Sequence, residues 1–334
     1  MPEISIIKKL ADQTDCVQPK VSVHMITYNH AAYIAQAVES VMMQETDFEV
    51  ELVIGDDCST DDTPALLREY SRRFPGIIKL LLQERNIGMQ RNAQKVTLAC
   101  RGDYIAYLEG DDYWTDTGKL LKQVRMLETD HSLALSHHRV SYYDESKKKI
   151  TAEFPPKERR MITCGGHLLA EGNFIQTCSL LVRRKLIPKI SEGLLNLKLG
   201  DWPLCALVSQ YGLISYIDEN MATYRLHASS AWSSTDIKYR EEARLEMVRV
   251  LAYSLNKEFR NKWVEKHINH CFYNIRINAR SGYLGLVTLQ GVRLIYDTFR
   301  LKSDYLKDAI WTVKKNWLEC AKQKIIDRTY NCAK

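Results

Sequence analysis

The chain has 334 residues, 45% hydrophobic and 26% charged, which is the make-up of a folded globular protein and excludes a disordered or collagen-like chain. No run approaches the ~18 uninterrupted apolar residues of a membrane helix, and "MPEISIIKKLADQTDCVQPK" has no secretory core or cleavage pattern, so a cytoplasmic protein is expected. The nine cysteines are scattered without a CxxC pair, as reduced core residues would be; the net charge is +6.

After a polar arm over residues 1–20, "VSVHMITYN" (21–29) is a β-rich run ending in polar residues, and "AAYIAQAVESVMMQ" (31–44) follows with helical spacing. "EVELVIGDDCSTDDT" (49–63) is a strand breaking into acids and hydroxyls. "PALLREYSRRF" (64–74) begins with a proline suited to a helix start, where Asp61 and Asp62 read as acids favoured by the helix dipole. "IIKLLLQERNIG" (77–88), "MQRNAQKVTLAC" (89–100) and "DYIAYLEGDD" (103–112) repeat the alternation. Strands alternating with helices at this spacing predict an α/β fold, a mostly parallel mixed sheet flanked by helices.

In such sheets ligands bind beyond the carboxyl ends of the strands. Polar clusters close each strand here: "TYN", "GDDCSTDD", "ERNIG" and "EGDD". Like charges as close as Glu109, Asp111 and Asp112 repel one another unless a cation or hydrogen bonds satisfy them. One acidic turn is a common surface feature, whereas four polar strand ends along one edge predict a site.

From about Leu133 to Trp232 the chain reads as short strands and turns. "ALSHHRVSYYD" (134–144) and "FIQTCSLLVRR" (174–184) are expected strands, with a mobile polar loop over 147–166. His137 and His138 alternate faces on the first of these and cannot share a site. From Asp236 the pattern is helical and charged. "HINHC" (267–271) reads as a helix surface, with no second ligand pair to make a zinc site. Ser281 to Lys334 carries ten Lys or Arg against five Asp or Glu, which suits a solvated helix face or a peripheral contact with an anionic membrane at the inner face of the plasma membrane. Nucleic acid is not an expected partner, because no binding motif accompanies the charge. The absence of GxGxxG and GxxxxGK[ST] argues against dinucleotide and P-loop chemistry.

The ordered set "VSVHMITYNH", "ELVIGDDCSTDDT", "NIGMQRNAQ" and "DYIAYLEGDDYW" resembles the inverting family 2 nucleotide-diphospho-sugar glycosyltransferases of bacterial surface-polysaccharide type. That resemblance implies a GT-A catalytic domain over 21–235 and a helical C-terminal region over 236–334. It implies transfer of a sugar, with inversion, from a nucleotide-sugar donor, a UDP-sugar foremost, to a saccharide or lipid-linked saccharide acceptor, assisted by Mn2+ or Mg2+. By resemblance Asp112 would hold the metal. Asp111 would contact ribose or a metal-bound water, and Glu109 replaces the commoner first Asp of the motif. Thr27, Tyr28, Asn29, Asp56, Asp57, Arg91 and Asn92 would line the nucleotide site. In "LKLGDWPL" (197–204) Asp201 matches the catalytic base, with Gly200 where an acid is usual, and Trp202 a candidate acceptor contact. In "ATYRLHASSAW" (222–232) Arg225 and His227 match a segment that meets diphosphate or metal. The alternative is a sugar-nucleotide or glycan-binding subunit of the same fold without chemistry, a reading that Glu109 and Gly200 keep open.

Overall fold

The structure is a computed structural model that describes residues 18–155, 160–230, 232, 234–257 and 259–260, with a few isolated positions beyond 309. The elements in chain order are β1 (Val21–Thr27), α1 (Ile34–Met42), β2 (Val50–Asp56), α2 (Thr63–Arg73), β3 (Ile78–Leu82), α3 (Met89–Ala99), β4 (Tyr104–Glu109), β5 (Tyr113–Trp114) and α4 (Lys119–Thr129). There follow β6 (Leu133–Asp144), β7 (Lys149–Phe154), β8 (Ile162–Thr163), α5 (Gly165–Glu171), β9 (Leu181–Arg183), α6 (Glu192–Leu195), α7 (Asp201–Val208), β10 (Leu213–Leu226) and α8 (Ile237–Ser254). The chain divides into two compact units, the first ending at Met247 and the second starting at Val248.

One mixed sheet runs β3-β2-β1-β4-β9-β6-β10-β5. Its first half is parallel, and β1 and β2 are almost wholly buried because helices cover both faces, which explains their continuous apolar runs. The second half is held by antiparallel β9 between β4 and β6, and by β10 lying parallel to β6. Met25, Ile54, Leu67, Ile105 and Leu108 are among the fully buried side chains of the core.

The register fixes where the parallel strands stop. Thr27 lies beside Asp56, and Ile26 beside Glu109, so the ends of β1, β2 and β4 are level. Helix α2 starts with Pro64 in its first turn, and the Asp61 carboxylate accepts from the Thr63 and Ala31 amides at 3.0 Å each.

Two expectations are corrected. The stretch 147–166 carries two strands: β7 pairs antiparallel with β6, and β8 with β10, because neighbouring strands supply hydrogen-bond partners that composition cannot foretell. Conversely, 174–184 is mainly irregular, with a 3-10 turn at Thr177–Ser179 and only three strand residues. Of the charged helical stretch, α8 lies within the described residues; "HINHC" and the basic tail lie outside them, as does most of the N-terminal arm. His137 and His138 are both buried, the first against Phe174 and Tyr216, the second with Nδ1 on the Arg139 carbonyl at 2.7 Å. No described helix is long and apolar enough to cross a membrane.

Candidate active site

The acidic turn hangs between the two halves of the sheet. It leaves β4 at Glu109 and returns through β5, whose Tyr113 and Trp114 pair with Thr223 and Ala222 of β10. The Gly110 amide donates to the Ile26 carbonyl at 3.0 Å. A Cβ at Gly110 would lie 2.6 Å from Thr27 Oγ1 and 2.8 Å from Thr27 Cβ, so only glycine lets the turn press on the end of β1.

Asp112 is 1% exposed. Its Oδ1 accepts from the Arg225 main-chain N–H at 2.8 Å, while Oδ2 is buried without a partner among the described residues. Glu109 Oε2 is likewise buried and unpartnered. Burial, then the charge of Asp111, then that of Asp201 push the Glu109 carboxyl up to about 8. Burial and the charges of Asp111 and Glu109 raise Asp112 well above the usual carboxylate range.

Asp111 behaves differently. Burial opposes its ionisation, but His227 and the nearby His30 outweigh that and hold its pKa below the ordinary value. His227 Nε2 lies 3.0 Å from Asp111 Oδ2, and its Nδ1 lies 3.0 Å from Ser229 Oγ. An Nε2–H tautomer donates to the carboxylate and accepts the serine hydroxyl. His30 Nε2 stands 3.7 Å from the same carboxylate oxygen, within charge contact and beyond a hydrogen bond.

Asp201 opens α7, and its Oδ2 accepts from Asn173 Nδ2 at 2.7 Å. Burial raises its pKa. Its charge adds to the rise at Glu109, so the two carboxylates lie within electrostatic reach although 92 positions of chain separate them.

The remaining sequence candidates are placed as follows. Thr27 Oγ1 is buried without a partner beneath Gly110. Tyr28 is exposed, and Asn29, at φ +56°, accepts from the Thr60 amide at 2.8 Å. Asp56 accepts from the Ser59 amide at 3.0 Å. Both oxygens of Asp57 are taken by main-chain amides, Ile87 at 2.8 Å and Gly88 at 2.9 Å, so it anchors the loop before α3. Asn92 is buried and donates to the Gly55 carbonyl at 2.8 Å. Arg91 reaches Glu192 at 2.9 Å and Asn196 at 3.1 Å. Trp202, half-buried on α7, has its ring near Gly172. The Arg225 guanidinium binds Glu145 and Gln36 rather than facing the acids. His30, Asn173 and Glu145 were not singled out from sequence. His30 directly follows "TYN", which was a signal; the other two sit in polar stretches that offered none.

Behind the turn, Trp114 is buried and donates through Nε1 to the Cys178 carbonyl at 2.9 Å. Lys119 Nζ lies 4.1 Å from its ring centroid and burial lowers that amine to about 7. This packing fixes the rear wall of the acid cluster.

No three His, Cys, Asp or Glu side chains among the described residues converge as a ready cage. Mg2+ and its analogues at nucleotide sites are held by one or two carboxylates together with substrate phosphates, which the orphaned oxygens of Asp112 and Glu109 suit. The residues present therefore fit such an ion.

A parallel half with level strand ends, an acidic turn and a mixed second half make up a fold of the GT-A class, and solved structures agree. S. aureus TarS 1-349, crystallised with UDP, superposes with a TM-score of 0.63 at 17% identity, covering 94% of this chain and 92% of that one. The mannosyltransferase PcManGT from Pyrobaculum calidifontis, in complex with GDP-Man and Mn2+, gives 0.51 at 12% identity, covering 96% and 92%. A family model described as glycosyl transferase family 2 matches residues 22–190, just over half of the chain, and the chain belongs to that family. Among curated relatives, the uncharacterized protein Rv1520 of Mycobacterium tuberculosis is 40% identical over 215 residues, 64% of this chain and 60% of that protein. The dTDP-rhamnosyl transferase RfbG of Shigella flexneri is 25% identical over 260 residues, 73% and 82% respectively. The match thus spans about 60% of the length of the mycobacterial relatives.

Proposed function

We propose that this chain is an inverting, metal-assisted glycosyltransferase that moves a sugar from a nucleotide donor, a UDP-sugar foremost, to a saccharide hydroxyl in bacterial surface-polysaccharide synthesis. The observation that carries the reading is the pair of unpartnered buried carboxylate oxygens on Glu109 and Asp112 with Asp201 in electrostatic reach of them. The likeness to TarS, crystallised with UDP, supports a UDP donor, and the relative named a dTDP-rhamnosyl transferase supports sugar transfer.

In this reading Asp201 takes the proton from the attacking acceptor hydroxyl. Asn173 orients its carboxylate, and burial, by raising its pKa, makes the ionised form a stronger base. Asp112 and Glu109 would hold the cation, and His227 orients the neighbouring Asp111 carboxylate. A bound divalent ion supplies neutralisation of the charge that grows on the departing nucleoside diphosphate. With base and leaving group on opposite sides of the anomeric carbon, one displacement inverts the centre.

The test is a donor-hydrolysis screen over UDP-, dTDP- and GDP-sugars with and without Mn2+. Slow release of one sugar that depends on Mn2+ and disappears in Asp112→Ala is expected. Binding of a donor without hydrolysis or transfer over a panel of acceptors would instead identify a non-catalytic subunit.

A further inference from the structure

Gly200 stands where the family resemblance leads one to expect an acid beside the base, and the space for that side chain is filled. A Cβ at Gly200 would meet the amide end of Gln90, Oε1 at 2.4 Å, Nε2 at 2.9 Å and Cδ at 3.1 Å, so a side chain at position 200 and this placement of the Gln90 amide exclude one another. Gln90 belongs to the first turn of α3, in the parallel half of the sheet; Gly200 caps α7, whose first residue is Asp201. The neighbouring Arg91 ties α3 to Glu192 and Asn196, the stretch that leads into Gly200, so the amide is held where the two halves meet. Gln90 Nε2 is buried and has no hydrogen-bond partner among the described residues. A buried donor left unmet is costly, and an acceptor that arrives with a ligand would meet it.

We propose that Gln90 reads the transferred sugar, its Nε2–H donating to an oxygen of that sugar, either a ring hydroxyl or an acetamido carbonyl, next to Asp201. This rests on the glycosyltransferase reading. A carboxylate at position 200 could only accept hydrogen bonds, whereas the amide both donates and accepts, so the exchange alters which sugar is preferred and leaves the nucleotide contacts alone.

The test measures, by calorimetry with Mn2+, binding of the nucleoside diphosphate of the base that the wild type prefers and of its glucose, galactose, N-acetylglucosamine and N-acetylgalactosamine derivatives. Gln90→Ala is expected to leave nucleoside-diphosphate affinity within about twofold and to weaken the preferred sugar nucleotide about tenfold. Gln90→Glu, which keeps the volume but not the donor, should weaken the same sugar nucleotides as Gln90→Ala. A loss confined to the N-acetyl derivatives assigns the acetamido oxygen; a loss shared by all four assigns a hydroxyl. Affinities for all four sugar nucleotides that stay within about twofold of wild type in both variants, with circular dichroism matching wild type, overturn the role of Gln90 and leave the glycosyltransferase reading standing. Failure of the wild type to bind any sugar nucleotide overturns both.

Discussion

Arg225 serves Asp112 through its backbone and turns its side chain elsewhere. Its N–H donates to Asp112 Oδ1 at 2.8 Å, while its guanidinium binds Glu145 at 2.6 Å and Gln36. The cation also lies over the rings of Tyr33 and Tyr113, at 5.0 and 4.6 Å from their centroids. Arg225→Ala removes these contacts but leaves Glu145 paired with Lys148 at 2.6 Å, so it should cost about 2 kcal/mol in urea unfolding. Nucleoside-diphosphate affinity, measured well below the transition, should change little. A large affinity loss with unchanged stability would mean that the guanidinium meets the diphosphate instead.

Asp112→Asn keeps the shape and removes the charge that would hold a cation. Turnover should fall at least 100-fold and Mn2+ binding should weaken. If Asp201 is the base proposed above, Asp201→Asn should lower turnover about 10²- to 10⁴-fold while donor affinity persists. Separate kcat and KM measurements check the pair.

Asp57 holds two amides of the loop before α3. Removing both acceptors in Asp57→Ala should destabilise the protein by about 2 kcal/mol. Limited proteolysis should then cut near residues 84–88 faster than in wild type. Equal cutting rates would show that the loop is fixed by other contacts.

Glu109 links stability to pH. Its carboxyl is pushed up from 4.5 to about 8 in the folded chain, so the native state binds its proton more tightly than the unfolded one. That contribution is fully present below about 4.5 and is lost as pH rises through about 8. Glu109→Gln mimics the protonated form, so without divalent ions its melting temperature should exceed that of wild type by a margin that widens from pH 5 to pH 8.5. Adding Mn2+ should narrow the margin by stabilising the ionised wild type more than the variant.

Much of the parallel half was legible because β1, β2 and β4 are buried on both faces and read as apolar runs, each ending in polar residues. The acidic turn was legible for the same reason. The antiparallel half was not: β7 carries "KITAEF", exposed along most of its length, and only pairing with β6 makes it a strand. Long β10 is broken by a register shift around Asn220, which hides its alternation. Within the site, side-chain direction escaped the sequence. Asp57, Asn92 and Arg225 occupy matching motif positions, yet their hydrogen bonds run to the loop, to β2 and to Glu145. Sequence could place those residues near the strand ends or the acidic turn but could not say which way they turn.

The amide that steadies Asp112 comes 113 positions later in the chain. During synthesis, therefore, β1, β2 and β4 can stack long before the turn between them and β5 acquires its anchor. A nascent chain stopped ahead of β10 would own most of the acids yet lack the amide that meets Asp112 Oδ1.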